Sequence, residues 1–178
     1  IEPYSIEGLK QAFADADANG GYIEAMFLEP VMGEGDPGRS LPRAFYDVAR
    51  ELTQLHGAML LIDSIQAGLR AHGVLSIVDY PGFEGIEAPD LETYSKALNA
   101  AQYPLSVVAA NERAANLYRK GIYGNTMTTN PRALDVAVAV LSQLTPALRA
   151  NIRERGQEAI AKLEALKNEL PGLIDRKS

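Results

Sequence analysis

Met59-Leu60-Leu61-Ile62-Asp63 is a run of four apolar residues closed by a carboxylate, and it is the firmest strand of the chain. It delivers Asp63 at its C-terminal end. Upstream, Ser40 is placed to cap a helix with Pro42 early in it, a position where proline is tolerated, and the helix runs to His56-Gly57. Before the loop from Gly33 to Gly38 stands Tyr22-Ile23-Glu24-Ala25-Met26-Phe27-Leu28, which reads as a buried strand. Ile6, Leu9 and Phe13 recur at helical spacing behind Ser5, an N-cap candidate, and the pattern stops at Asn19-Gly20-Gly21. Downstream, residues 69–89 lose periodicity around Gly73, Pro81, Gly82 and Gly85, and loops of that length usually carry function or cover something. Residues 91–95 and 105–109 read as further strands, and 112–118 as a helix. Residues 131–144 form a helix with a broad apolar face. Pro146 breaks it, and 147–170 continue as a more polar helix striped by Ile152, Ile160, Leu163 and Leu166. Strand and helix alternate as far as Ala110, which predicts an α/β fold with a mostly parallel sheet flanked by helices. Ligands of such sheets bind outside the carboxyl ends of the strands, where Glu29, Asp63 and Lys96 fall.

Composition narrows the function classes. The 178 residues amount to about one domain. Hydrophobic residues make up 47%, enough to bury a core and to exclude disorder as the main description. With 17 basic against 23 acidic residues the net charge is −6, and no basic stripe marks a nucleic-acid binder. The absence of cysteine excludes disulfides, a zinc ribbon and a thiol nucleophile. There is no apolar run of membrane-spanning length, and Ile1-Glu2-Pro3-Tyr4 lacks the character of a signal peptide. The expectation is a soluble, cytoplasmic domain with no membrane partner.

Gly33-Glu34-Gly35-Asp36-Pro37-Gly38 matches G-x-G-x-x-G between a strand and a helix, with Asp63 standing where a ribose-binding acid would. The chemistry argues against a dinucleotide. A pyrophosphate wants free N–H groups and positive potential, whereas Glu34 and Asp36 repel it and Pro37 removes a donor. A glycine-rich connecting loop is the plainer reading. His56 and His72 are the only histidines, neither has a metal partner at i, i+4, and no serine sits in a nucleophile elbow, so no metal is expected. Taken singly, Asp63 could be a helix cap and Lys96 a surface residue. As a pair, a carboxylate at one strand end and a lysine at the next suit a cofactor that needs an anion at a ring nitrogen and an amine for a Schiff base.

Five ordered blocks make this specific. Glu29-Pro30-Val31-Met32-Gly33-Glu34-Gly35 is similar to E-P-(I/V)-Q-G-E-G, and Asp63-Ser64-Ile65-Gln66-Ala67-Gly68 to D-E-(V/I)-Q-(T/S)-G. Pro89-Asp90 with Lys96-Ala97-Leu98 is similar to P-D…K-A-L, and Tyr103-Pro104-Leu105-Ser106 to Y-P-(L/V/I)-(S/G). Gly124-Asn125-Thr126-Met127-Thr128-Thr129-Asn130-Pro131 is similar to G-S-T-(F/Y)-G-G-N-P. The chain thus resembles the class III, ornithine- and acetylornithine-type, aminotransferases that depend on pyridoxal 5′-phosphate (PLP). The resemblance implies part of the fold type I large domain over residues 1–145, and over 146–178 a helix leading into a small C-terminal domain. It implies transamination between an amino donor and an oxo acid or aldehyde, by two half-reactions through pyridoxamine phosphate. Lys96 would carry the cofactor as a Schiff base and shuttle the proton, and Asp63 would pair with the pyridinium nitrogen. Ile65 would pack on the ring, and Gln66 would bind its phenolic oxygen. Thr126 would reach the phosphate of a neighbouring subunit's cofactor, which makes a homodimer with shared sites the expected assembly.

The departures are Ser64 for the usual Glu, Met32 for Gln, Thr128-Thr129 for Gly-Gly, and a 69–73 segment without the G-(R/K)-T-G ending. The family's N-terminal half, with its phosphate-cradling loop, and the end of its small domain have no counterpart in the 178 residues. The expectation is therefore an internal piece of a longer protein, inactive alone. The alternatives are racemisation or decarboxylation on the same scaffold, a catalytically silent binding module, and the dinucleotide-binding domain.

Overall fold

Ser5 opens the first helix of the computed structural model, which describes residues 4–122, 124, 130–171 and 173. Its hydroxyl accepts a hydrogen bond from Gly8 N at 3.1 Å, and α1 follows over Ile6–Ala18, burying Leu9 and Phe13 one turn apart. Then come β1 (Ala25–Leu28), α2 (Arg43–Leu55) and β2 (Met59–Asp63). After a long connection follow β3 (Leu91–Tyr94), β4 (Val107–Ala110) and α3 (Glu112–Ala115). The chain closes with α4 (Pro131–Ser142) and α5 (Pro146–Glu169). The strands lie in the order β1-β2-β3-β4, with the first three parallel and β4 antiparallel to β3. The mostly parallel sheet is as expected.

One face of this sheet makes the core. Leu60 and Ile62 alternate inward from β2 and are fully buried, under Phe45, Tyr46 and Ala49 of α2 and Leu9 and Phe13 of α1. Helix α2 can do this because its buried residues recur at helical spacing along one stripe. Tyr46 is buried to its hydroxyl, which donates to Glu87 O at 2.6 Å and so needs no solvent.

A second feature ties the layers together. Asp90, with no exposed side-chain surface, accepts from Arg50 Nη1 at 2.7 Å, from Leu60 N at 2.9 Å and from Asn111 Nδ2 at 2.9 Å. Arg113 Nη1 adds a contact at 3.5 Å. One carboxylate thus joins α2, β2 and α3 to the start of β3.

Several local expectations need correcting. The strand expected over 22–28 is only four residues long and is half-covered: Met26 and Leu28 pack on the core, whereas Phe27 is 67% exposed because strand side chains alternate. Ser40 does not cap α2. Residues 30–41 fold back as a narrow antiparallel ladder, with Met32 N bonded to Arg39 O and Leu41 N to Pro30 O, and Ser40 is held extended opposite Val31. Pro42 therefore takes the cap position, without a side-chain hydrogen bond. The strand expected at 105–109 begins two residues later, and the helix expected at 112–118 ends at Ala115. The apolar stripe of α5 is not a buried face among the described residues, although Ile152 and Arg149 approach Gly73. No single helix among the described residues is long and apolar enough to cross a membrane. Helices α4 and α5 pass that test only as a pair bent by 78°.

Strand order alone would call for a helix between parallel β2 and β3. Residues 64–90 instead cross with a single 3₁₀ turn, Ile77–Asp79. Buried Glu92 holds this connection down, accepting from Ser64 Oγ at 2.5 Å, Ser76 Oγ at 2.6 Å and Ile77 N at 3.0 Å. Gly68 lets the same loop turn tightly, since a Cβ there would stand 2.7 Å from Ser64 O and 3.3 Å from Leu75 O. Both are backbone atoms and cannot swing aside. Gly68→Ala should therefore destabilise by about 1–3 kcal/mol, the usual cost of overpacking. Urea unfolding measures it, and an unmoved midpoint would show that the loop yields freely.

Candidate active site

The alternation that buries Leu60 and Ile62 sends Asp63 to the other face, at the carboxyl end of β2. Register then decides its neighbour. Asp63 pairs with Thr93 of β3, and Thr93 Oγ1 donates to Asp63 Oδ1 at 3.3 Å. Ile65 N donates to the same oxygen at 3.0 Å, a side chain closing a turn on its own backbone two residues on. Asp63 Oδ2 has no hydrogen bond among the described residues. The carboxylate is thus fixed by one oxygen with the other left for a ligand.

Lys96 follows β3 after Ser95, at the first position of a 3₁₀ turn over Lys96–Asn99, and its backbone is left-handed with φ 46°. That conformation is disfavoured for any residue with a Cβ and persists only where the surroundings hold it. Here Asn99, fully buried, donates from Nδ2 to Ala133 O of α4 at 2.9 Å, and Leu98 packs with Tyr94 and Ala137. The turn is pinned from beneath, so Lys96 stands exposed above it.

Lys96 Nζ donates to Gln66 Oε1. No ion pair joins Lys96 to Asp63 among the described residues. Gln66 is placed by the loop after β1: a Cβ on Gly33 would stand 2.8 Å from Gln66 Nε2, and Gly33 N donates to Glu29 Oε2 at 2.9 Å. Three strand ends therefore meet, with Glu29 holding the loop that carries Gly33, Gly33 backing Gln66, and Gln66 on Lys96. Gly33→Ala should cost little stability, within about 0.5 kcal/mol, because the amide it strikes is the free end of a side chain. It should instead push Gln66 off Lys96 and change the rate at which Lys96 reacts with an amine-directed reagent. An unchanged labelling rate would show that Gln66 accommodates the methyl in place.

Of the residues expected in the site, the structure bonds Lys96 to Gln66 and Asp63 to the Ile65 amide, and no hydrogen bond or ion pair joins the two pairs among the described residues. Thr126 lies outside the described residues. Ser64 points the opposite way, into the Glu92 cluster, so its departure from Glu leaves Asp63's face unaltered. Burial, and then the Glu92 charge, push the nearby Tyr94 hydroxyl above its usual pKa, which keeps it protonated. Thr93, Gly33 and Glu92 were not foreseen. The alternation of Leu91-Glu92-Thr93-Tyr94 was the one signal available for the first and last. The dinucleotide reading loses its geometry: residues 33–38 lie in the folded-back ladder, and α2 starts only at Arg43. No group of three or more His, Cys, Asp or Glu side chains able to hold a metal occurs among the described residues.

The chain has clear relatives. A family profile described as Aminotransferase class-III matches residues 5–175. Acetylornithine aminotransferase of Xanthomonas axonopodis pv. citri is 31% identical over 159 residues, 89% of this chain and 38% of that one. Ornithine aminotransferase of Brevibacillus brevis is 32% identical over 171 residues, 94% of this chain and 40% of that one. Among solved structures, N-acetylornithine aminotransferase from Stenotrophomonas maltophilia K279a superposes with a TM-score of 0.77 at 28% identity, covering 99% of this chain and 43% of that one. Ornithine aminotransferase from Toxoplasma gondii ME49 gives 0.76 at 28% identity, over 98% and 39%. A further T. gondii structure, crystallised in the presence of oxidised glutathione, shows partial occupancy of PLP at its active site. The fold is therefore that of part of these aminotransferases, and the chain spans about two fifths of their length.

Proposed function

The chain belongs to the class III aminotransferases, and from that premise we propose that it carries the PLP-binding core of an enzyme that moves an amino group from a donor amine to an oxo acid or aldehyde. The observation that carries this reading is the pairing of an exposed Lys96 on Gln66 with an Asp63 carboxylate anchored by one oxygen only. Both stand at the carboxyl ends of parallel strands, where ligands of such sheets bind.

The donor set fits PLP. A lysine amine is available for covalent attachment, and a carboxylate with an unused oxygen can oppose the charge of a ring nitrogen. When bound, PLP supplies an electron sink for charge developing at the substrate carbon. Lys96 Nζ would hold the cofactor and move the proton. Asp63 would keep the ring nitrogen protonated by its charge. Thr93 and the Ile65 amide would keep Asp63 oriented, Ile65 would pack on the ring, and Gln66 would bind the phenolic oxygen. Met32, Ser64 and Thr128-Thr129 depart from the usual motif residues, and Ser64 leaves Asp63 and Lys96 untouched.

The same reading includes a homodimer in which Thr126 serves the cofactor phosphate of the partner subunit. It also includes a cytoplasmic setting, with which the lack of cysteine is compatible. The division at residue 145 coincides with the break between α4 and α5 and their 78° bend. The test is borohydride reduction of the complete protein with PLP, followed by peptide mapping. The pyridoxyl group is expected on Lys96, and a label on Lys120 or on no lysine would overturn the assignment.

A further inference from the structure

Glu92 is a buried acid without a cation. It makes no ion pair among the described residues and is held by neutral donors alone. Ser64 Oγ and Ile77 N share its Oε1, Ser76 Oγ takes its Oε2, and the Tyr94 hydroxyl stands alongside. Burying a carboxylate without a counter-ion is unfavourable. The bonds to Ser76 and Ile77 suffice to hold the long connection down, so the bond to Ser64 needs its own account.

Ser64 lies between Asp63 and Ile65, and each of its polar groups is engaged. Its N donates to Thr93 O at 3.0 Å, its O accepts from Gly68 N at 2.8 Å, and its hydroxyl donates to Glu92 at 2.5 Å. On the opposite face, Thr93 Oγ1 and Ile65 N hold Asp63 Oδ1 at 3.3 and 3.0 Å. Glu92 and Thr93, neighbours on β3, therefore grip residues 63–65 from the two sides of the sheet. The grip on the far side is the shorter, as a hydroxyl bonded to a carboxylate should be. Position 64 is where the motif usually carries a glutamate. Here it carries a hydroxyl, and the acid reaches it from β3.

We propose that Glu92 is a positioning residue for the cofactor site: through Ser64 it fixes the turn that aims Asp63 Oδ2 at the PLP ring nitrogen and Ile65 at the ring. This rests on the PLP-binding reading above and adds a residue to it from the opposite face of the sheet. Asp63 serves the ring nitrogen only while its free oxygen keeps its direction, because a hydrogen bond weakens steeply as it bends. Released from Glu92, the turn loosens, Asp63 swings, and the ring nitrogen holds its proton less firmly.

The experiment uses the complete protein. Ser64→Ala removes one hydroxyl and leaves Glu92 with Ser76 and Ile77. Ser76→Ala takes a hydroxyl from the other oxygen of the same acid and is the control. Ser64→Ala should weaken PLP binding by about fivefold or more, whereas Ser76→Ala should leave it within about twofold. NMR of isotopically labelled PLP should show a smaller protonated fraction at the ring nitrogen in Ser64→Ala alone. Glu92→Gln, which keeps the shape and removes the charge, should follow Ser64→Ala, and combining the two should add little. In protein free of PLP, the Ile65 amide should exchange about tenfold faster in Ser64→Ala than in Ser76→Ala. Equal losses in the two serine variants would make Glu92 a staple of the loop only. An unchanged Ser64→Ala would show that Thr93 positions Asp63 unaided, and fully additive losses would show that Ser64 and Glu92 act separately. Each of these results overturns the proposal. A parent protein that binds no PLP defeats the proposed function instead, and exchange at Ile65 still decides whether Glu92 fixes the turn.

Discussion

Lys96→Ala should lower amino-group transfer by the complete protein by at least about 10²–10⁴-fold, the contribution expected from a positioned proton-transfer group alone. The loss of covalent attachment adds to that. The reasoning is local: Lys96 is exposed above a turn held by Asn99 and Leu98, so truncating it removes an amine and leaves the packing in place. Stability should stay within about 0.5 kcal/mol, as for surface positions generally. Lys96→Arg sharpens the test. A guanidinium keeps the positive charge but stays protonated at working pH and cannot serve as the amine, so it should be as impaired as alanine. Single-turnover assays with a donor amine measure both. Near-parental turnover in Lys96→Ala would remove Lys96 from the reaction, and retained turnover in Lys96→Arg alone would reduce its role to charge.

Asp90→Ala should cost about 3–5 kcal/mol, the range for breaking a buried ion pair by removing one partner. The variant leaves buried Arg50 with only the exposed Glu87, 3.5 Å away, as a counter-charge, and strips partners from Leu60 N and Asn111. Against a typical domain stability of about 5–15 kcal/mol, that is a large fraction. The pH dependence follows from the same contacts. Burial pushes the Asp90 carboxyl up, but hydrogen bonds from Arg50, Leu60 N and Asn111 outweigh it and hold it below the usual carboxylate value of 3.8. A carboxyl depressed by folding contributes stability that is fully present above the ordinary value and is lost as pH falls through the folded one. Urea midpoints of the parent should therefore fall as pH drops below about 4, and those of Asp90→Asn should fall less steeply. Matching pH profiles would show that Asp90 is not the group being titrated. A midpoint for Asp90→Ala equal to the parent's would show that the clamp contributes nothing.

The candidate site was legible to the extent that its chemistry is written in single residues. Asp63 at the end of an apolar strand and Lys96 after the next one could be read directly, because a strand delivers its last side chain to a sheet edge wherever that sheet lies. Gln66 could be named but not placed. Its contact with Lys96 depends on Gly33, which approaches from a different connection. Ser40 shows the converse failure. Its spacing to Pro42 suits a cap, but the pairing of residues 30–41 with one another is worth several backbone hydrogen bonds and holds Ser40 extended. A local preference worth about 1 kcal/mol loses to that ladder.

What the sequence determined by itself is what depends on neighbours within about one helical turn. The Ser5 cap, the paired Leu9 and Phe13, the strand Met59–Asp63 and the Pro146 break between the last two helices are all of this kind. Tertiary structure decided what depends on register between distant segments. Thr93 reaches Asp63 across a separation of 30 residues only because Asp63 and Thr93 are paired, and a slip of one residue would have put Glu92 there instead. The same register turns Glu92 inward to hold Ser64, Ser76 and Ile77. Strand period sorts side chains between two faces, but only the pairing of strands says which of them meet.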